Sequence, residues 1–318
     1  MTGVGENALM RVIDGHCDSI ANLTGGGPLI NKYNFSSKYP QLQFVALFCG
    51  GPGQTPDDAH ALCRRYLDLF AAEAAKKPEL FSKVTRFCEI EEAWNAGKHA
   101  ALLTEEGGSC IRGSAEGLRE IYEAGVRVFG LAWLSNDLAK SNRIAPGEED
   151  TGLTAAGREV IAEGNRLGMI FDVSHLSDRS FYDVMELSEK PPVATHSNFR
   201  ALCSHSRNLT DEMARLLAGR GGMIGLNLYP PFISDDPEKQ TVDGLLAQLD
   251  YALETVGEDR VGFGFDIDGV SGHYPQPLDT TASIHDRIIE TMLRAGYSED
   301  LVAKIAWRNW YEYLRKYL

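Results

Sequence analysis

An α/β fold closed as a (β/α)8 TIM-type barrel is predicted by three features of the chain. Eight short apolar runs punctuate it, at 9–14, 43–49, 100–104, 127–133, 168–174, 192–195, 222–228 and 261–265. Several are nearly continuous, as parallel strands buried on both faces should be. Helix-patterned stretches separate most of them, and this alternation over 318 residues fits a closed barrel, with an open doubly wound sheet as the structural alternative.

The first run (Leu9, Met10, Val12, Ile13) ends in Asp14-Gly15-His16-Cys17-Asp18. In an extended strand positions i and i+2 point the same way, so His16 and Asp18 can grip one cation from a strand's carboxyl end, with Cys17 turned away into packing. Gly25-Gly26-Gly27-Pro28 lacks the lysine and Ser/Thr of a phosphate loop and reads as a flexible loop over the site. The longest connection, from about Gly50 to His99, holds two helices, the first over Asp57 to Ala75. Further helices follow over Leu153 to Arg166, Asp178 to Leu187, Asp211 to Leu217 and Val242 to Val256, with Thr154 and Ser177 as starts. After the eighth run, Pro275 and Pro277 mark a mobile loop at the barrel mouth.

With 43% hydrophobic and 24% charged residues the chain can bury a sizeable core, and residues 1–318 read as a single barrel domain. Its 31 basic and 45 acidic residues leave a net charge of -14, which disfavours nucleic acid or an anionic membrane as partner. Met1 to Asn7 lack the marks of a signal peptide, and no apolar stretch reaches the roughly 20 residues of a membrane span, so a cytoplasmic protein is expected. The six cysteines (Cys17, Cys49, Cys63, Cys88, Cys110, Cys203) are scattered and read mostly as reduced core residues.

In such a barrel every strand's carboxyl end opens on one face, so residues distant in sequence converge there. His16 and Asp18, Glu106, His175, His196 and Asp266 follow the first, third, fifth, sixth and eighth runs. Three imidazoles and three carboxylates are the donors Zn²⁺ accepts, and a set without thiolates points to a catalytic site with room for two metals sharing one carboxylate. Singly, each has a plainer reading: a hydrogen-bonded barrel-end histidine, or a glutamate capping its loop. Asp266 competes with Asp268, which can simply turn the chain. His60, His99, His205, His273 and His285 read as solvated, with His273 placed to overhang the site.

These residues resemble the renal (membrane) dipeptidase family of binuclear zinc metallopeptidases, a metal-dependent hydrolase-like barrel. The matches are Asp14-Gly15-His16-x-Asp18, Glu106-Gly107-Gly108, Asp172-Val173-Ser174-His175, His196-Ser197-Asn198, Arg207-Asn208 and Gly262-Phe263-Gly264-x-Asp266-x-Asp268-Gly269, in order over nearly the whole chain. The resemblance implies that His16 and Asp18 bind one Zn²⁺, that His175 and His196 bind the other, and that Glu106 bridges them. It implies hydrolysis of small dipeptides, L,D as well as L,L, by metal-activated hydroxide, with Asp266 shuttling the proton and Arg207 clamping the terminal carboxylate. Family members are often dimers, so a homodimer is one expectation, and the C-terminal aromatics (Trp307, Trp310, Tyr311, Tyr313, Tyr317) are expected on the barrel or at an interface.

One departure stands out. The family's fourth strand commonly ends in Leu-Thr-His-Asn, whereas this chain reads Leu131-Ala132-Trp133-Leu134-Ser135-Asn136. Trp133 can donate one hydrogen bond but cannot become cationic, so oxyanion stabilisation would pass to the zinc ions, Trp133 or Asn136. Equally, Trp133 can pack the rim, narrow the pocket or stack on the substrate. The alternatives are another metal-dependent amidohydrolase, against which His16-x-Asp18 and Glu106 argue, and a metal-binding barrel whose catalysis is lost or altered because of Trp133.

Overall fold

A computed structural model describes residues 10–31, 35–270, 273–278 and 283–318. Its strands are β1 (Val12–Cys17), β2 (Gln41–Phe48), β3 (Phe81–Val84), β4 (His99–Glu106), β5 (Val128–Gly130), β6 (Ile170–Asp172), β7 (Val193–Ala194), β8 (Met223–Leu226) and β9 (Val261–Phe263). All pair in parallel; β2 joins β4 and β9 joins β1, so eight strands close a (β/α)8 barrel and the open sheet is excluded. Every residue of β1, β6, β8 and β9 is buried, which is why these segments fall within nearly continuous apolar runs. Leu9, the start of the first run, lies outside the described residues.

The ninth strand was not expected. Phe81–Val84 lies between the two helices of the long connection (Pro56–Lys76 and Phe87–Asn95) and pairs only with the start of β4, from His99 to Leu102. Four residues with only the outer two buried give too little pattern to be read as a strand.

The helices after the strands begin where short hydroxyl side chains cap them. Thr154, Ser177, Thr210 and Thr241 each accept the backbone N–H three residues on, at Gly157, Ser180, Met213 and Gly244. The last helix, Asn309–Tyr317, seats Trp310 against the barrel. Its ring is fully buried and its indole N–H donates to the Phe263 carbonyl at 3.0 Å. A Cβ on Gly15 or Gly262 would come within 2.8 and 2.5 Å of that ring, so both positions need glycine to admit it. Trp307, Trp310, Tyr313 and Leu314 are buried; the C-terminal aromatics therefore pack on the barrel.

Beneath the strand ends lies a buried polar clamp. Asp14 Oδ1 accepts the N–H groups of Phe265 at 2.9 Å and His16 at 3.2 Å, while Oδ2 sits 2.7 Å from His285 Nε2. It ties β1 to the segment after β9 and to the helix Ile284–Arg294. His285 is thus fully buried, correcting its reading as solvated. His99 is also partly buried in β4, its Nδ1 accepting the Gln41 N–H at 3.2 Å.

The scattered cysteines are closer than their spacing suggests. The thiols of Cys49, Cys63 and Cys110 lie within 4.8 Å of one another in the core, as free cysteines. In the proline loop, Gln276 pairs with Thr241 and so ties residues 273–278 back to the start of the helix Val242–Val256; residues 271–272 and 279–282 of that expected mobile loop lie outside the described residues. Among the described residues no helix is long and apolar enough to cross a membrane.

Replacing Asp14 leaves three buried donors without their acceptor, each costing about 1–3 kcal/mol. Asp14→Ala is therefore expected to lower the unfolding free energy by at least about 3 kcal/mol; an unchanged midpoint in guanidinium denaturation would contradict the clamp.

Candidate metal centre

All the predicted ligands reach the carboxyl-terminal mouth of the barrel. His16 and Asp18 close β1, Glu106 ends β4, His175 lies three residues beyond β6, and His196 two beyond β7. Glu106 is aimed by the turn that follows. Gly107 and Gly108 adopt φ of 118° and 71°, and a Cβ on either would lie about 2 Å from the carbonyl oxygen of Cys49 or Leu131. Glu105 fastens the same turn by accepting the Gly108 N–H at 2.9 Å.

The five side chains form two groups around Glu106. Its Oε2 lies 3.4 Å from His16 Nε2, which is also 3.4 Å from Asp18 Oδ2. Its Oε1 lies 2.7 Å from His175 Nε2 and 3.7 Å from His196 Nε2, and those two nitrogens are 3.0 Å apart. The rings of His16 and His196 stack at 3.7 Å between the groups. All five residues are buried, and His16 Nε2 and Asp18 Oδ1 have no hydrogen-bond partner. Imidazole nitrogens and carboxylate oxygens converging so closely, with orphaned donor atoms aimed inward, fit divalent cations better than any arrangement of hydrogen bonds.

The electrostatics ask for positive charge. Burial, then the charge of Glu106, push the Asp18 carboxyl up to about 7. Burial alone would also raise Glu106, but His16 and His175 hold it well below the usual range. Burial, then Arg207, push His175 down to about 3, and burial followed by His16 lowers His196, so both imidazoles stay neutral with lone pairs to offer.

An outer shell holds the ligands. His196 Nδ1 is 2.7 Å from Thr195 Oγ1, which donates to Asp172 Oδ2 at 2.5 Å, leaving Nε2 for the centre. Asp172 also accepts from Ser174, which fixes the turn carrying His175.

Asp266 stands beside the first group, its Oδ1 3.9 Å from His16 Nε2, in the left-handed region at φ 58°. Asn227, just beyond β8, donates to its Oδ2 at 2.9 Å. Sequence reasoning missed Asn227, although a lone amide inside the apolar run 222–228 was a signal. Asp268 instead accepts from Ser19 at 2.7 Å, Asn22 at 3.1 Å and Asn31 at 2.7 Å, which separates it from Asp266 as a holder of the chain. Between them Gly269 passes so close that a Cβ would lie 2.2 Å from Asp18 Oδ2 and 2.3 Å from Asp266 Oδ1.

A cleft of about 460 Å³ opens over the group, lined by Asp18, Glu106, His175 and Asp266 and walled by Phe48, Trp133, Tyr229 and Phe232. Trp133 faces this cleft, its ring 6.0 Å from that of His175 and edge-on to Phe48. His273 lines it as expected, whereas Gly25 to Pro28 do not, correcting their reading as a loop over the site. Asn136 is also misplaced by the sequence reading. Its amide nitrogen donates to the carbonyls of Gly107 and Leu131, and its oxygen accepts from Leu138 and Ala139, so it braces the Glu106 turn and does not line the cleft. Arg207 is buried behind His196: Nη1 donates to Ser197 Oγ and Nη2 to the His196 carbonyl, both at 2.7 Å, while Nε has no partner. Arg143 lines the cleft without having been singled out. The long polar stretch between the fourth run and the helix at Thr154 was the available hint, since loops of that length are commonly functional.

The comparisons agree with this geometry. The family model described as membrane dipeptidase (peptidase family M19) matches residues 7–316. A Klebsiella pneumoniae protein known only by its place in the pqqA 5' region is 36% identical over 217 residues, covering 66% of this chain and 79% of that one. Dipeptidase tcpJ of Claviceps purpurea is 31% identical over 228 residues, 72% of this chain but only about half (53%) of the fungal one. Among solved structures, the dipeptidase AC, a metallo peptidase of family M19, superposes with a TM-score of 0.85 at 26% identity, covering 97% of this chain and 99% of its own. A metallo peptidase from Rhodobacter sphaeroides, liganded with a phosphinate mimic of the dipeptide L-Ala-D-Ala, gives 0.83 at 25% identity, over 98% and 100%. Matched from end to end in sequence and in fold, the chain belongs to the membrane dipeptidase family, peptidase family M19, and is a metallo-dipeptidase of that family.

Proposed function

We propose that the chain is a zinc-dependent dipeptidase that holds two Zn²⁺, one between His16 and Asp18, the other between His175 and His196, with Glu106 bridging. The observation that carries this reading is the division of the Glu106 carboxylate, one oxygen turned to each group. Nitrogen and oxygen donors without thiolate suit a catalytic zinc site with open positions. When bound, such ions polarise the scissile carbonyl and lower the pKa of attacking water.

The protein's own part is to position and to move protons. Asp266 accepts the proton of the attacking water and returns it to the leaving amine; Asn227, donating to Oδ2, keeps Oδ1 turned toward the centre. Burial raises the Asp266 carboxyl, and a group nearer neutrality can both take and give a proton. Arg207 clamps the terminal carboxylate of the substrate through the edge bearing its unpartnered Nε, a demand a bound carboxylate would meet. Burial pushes its guanidinium down to about 10, which leaves it cationic at neutral pH.

Trp133, whose indole N–H has no acceptor among the described residues, forms one wall of the substrate cleft. The phosphinate mimic in the Rhodobacter sphaeroides relative supports dipeptides with a D-residue at the carboxyl end as substrates here too. Residues 1–318 act as one catalytic barrel, since the C-terminal helix is built into its wall through Trp310. A cytoplasmic setting fits the six scattered cysteines, none of which stands in a paired C-x-x-C spacing. A homodimer would form away from the buried C-terminal aromatics.

Three substitutions test this. Asp266→Asn should lower kcat on a zinc-loaded dipeptide assay by about 10²–10⁴-fold while metal content stays at the wild-type level; undiminished turnover refutes the proton shuttle. For Arg207→Ala, kcat/KM on Ala-Ala should fall by about 10–100-fold, with little change on Ala-Ala amide, and an equal loss on both removes the clamp. Gly269→Ala drives a methyl group into Asp18 and Asp266, so zinc affinity measured against a chelating dye should weaken by about tenfold or more, and wild-type affinity would contradict the close approach.

A further inference from the structure

Arg143 is placed like a binding group and not like a structural one. It is exposed, lines the cleft, and is the one Arg or Lys among the described residues that does so. Its guanidinium carbon lies 3.7 Å from the centroid of Trp133, so the group lies over the indole face. Among the described residues it makes no ion pair and no side-chain hydrogen bond. A guanidinium carries five N–H donors in its plane, and stacking one face leaves all of them along the edges, free for an incoming acceptor.

The backbone beneath it is anchored to the metal centre. Ser141 bridges to Leu176, the Asn142 N–H donates to the His175 carbonyl at 2.9 Å, and Ser206 Oγ donates to the Asn142 carbonyl at 3.1 Å. Arg143 therefore sits at a set height above His175 rather than on a freely moving loop. Trp133 edges onto Phe48 and lies beside His175, so its indole passes the fixed position of the ligands on to the guanidinium.

The acceptor that best complements a free guanidinium edge is an anion. The walls of Phe48, Trp133, Tyr229 and Phe232 offer no carboxylate; of the acidic groups lining the cleft, Asp18, Glu106 and Asp266 gather around His16, and Asp268 accepts from Ser19, Asn22 and Asn31. The two arginines also differ in depth. Arg207, 2% exposed and already donating to Ser197 and the His196 carbonyl, suits a group every substrate carries at a constant place. Arg143, at the rim, suits a group that varies from substrate to substrate.

We propose that Arg143, held on Trp133, is a specificity residue that binds a side-chain carboxylate, so the preferred substrates are dipeptides containing Asp or Glu. This rests on the dipeptidase reading above and names the substrate class within it. A planar fork matches a carboxylate with two parallel hydrogen bonds, which neither a lysine nor a neutral amide partner reproduces.

The test compares isosteric pairs on the zinc-loaded enzyme: Ala-Glu against Ala-Gln, and Glu-Ala against Gln-Ala. The wild type should favour the acidic member of one pair by about tenfold or more, and that pair identifies which substrate residue faces Arg143. Arg143→Ala should erase the preference, Arg143→Lys should restore part of it, and Arg143→Glu should reverse it. Glu/Gln ratios unchanged within twofold in Arg143→Ala would overturn the proposal, as would an equal loss on acidic and neutral substrates. A lost preference for Ala-Ala over its amide, with both Glu/Gln ratios intact, would also overturn it by assigning Arg143 to the terminal carboxylate. Calorimetric titration with non-hydrolysed phosphinate analogues of the four dipeptides reads the same charge preference without turnover. Absence of hydrolysis thus counts against the dipeptidase reading, and absence of a charge preference in binding counts against Arg143.

Discussion

Glu106 turns one carboxylate oxygen toward His16 and Asp18 and the other toward His175 and His196, and much of the barrel mouth is built to hold it there. The constraint begins in the backbone. The chain must leave β4 between the carbonyls of Cys49 and Leu131, which only two successive glycines permit. Glu105 and Asn136 then brace that turn from either side, spending their polar atoms on its backbone groups. The end of β1 on one side and the ends of β6 and β7 on the other bring the histidines in. Since a barrel places all these ends on one face, a carboxylate at the end of β4 can meet ligands from β1, β6 and β7 at once.

Such a gathering of buried polar groups would be destabilising if left unsupported, and the structure supports it in layers. Asp14 and His285 tie β1 to β9 and the helix behind them. Asp172, Thr195 and Ser174 orient His196 and His175. At the centre itself His16 Nε2 and Asp18 Oδ1 are left without hydrogen-bond partners, as atoms kept for a cation would be. The substrate side is built differently. The cleft walls are aromatic, with Arg143 at the rim and Arg207 buried against the His196 carbonyl, the two arginines proposed above to bind substrate carboxylates.

Most of the fold is legible in the sequence because parallel strands buried on both faces leave continuous apolar runs and helix starts leave Ser or Thr. The proposed metal ligands are legible for a related reason: each stands at or shortly beyond the end of such a run. What is hidden depends on contacts between distant segments. The partner that buries His285 is 271 residues away, so nothing around the histidine marks it as buried. Asn136 looks like a substrate group because it aligns near the departure at Trp133, yet its amide is committed to carbonyls that only the folded turn presents. Arg143 lies in a loop without periodicity, and only its stacking on Trp133 distinguishes it from any surface arginine. The convergence of Cys49, Cys63 and Cys110 is likewise a product of three elements meeting in the core.

The central claim is that one carboxylate organises two metal ions. Crystals of the zinc-loaded enzyme, with anomalous diffraction collected at the zinc edge, test it most directly. The account predicts two peaks about 3.5–4 Å apart, one beside His16 and Asp18 and one beside His175 and His196, with the Glu106 carboxylate between them. A single peak, or two peaks that do not share Glu106, would contradict it.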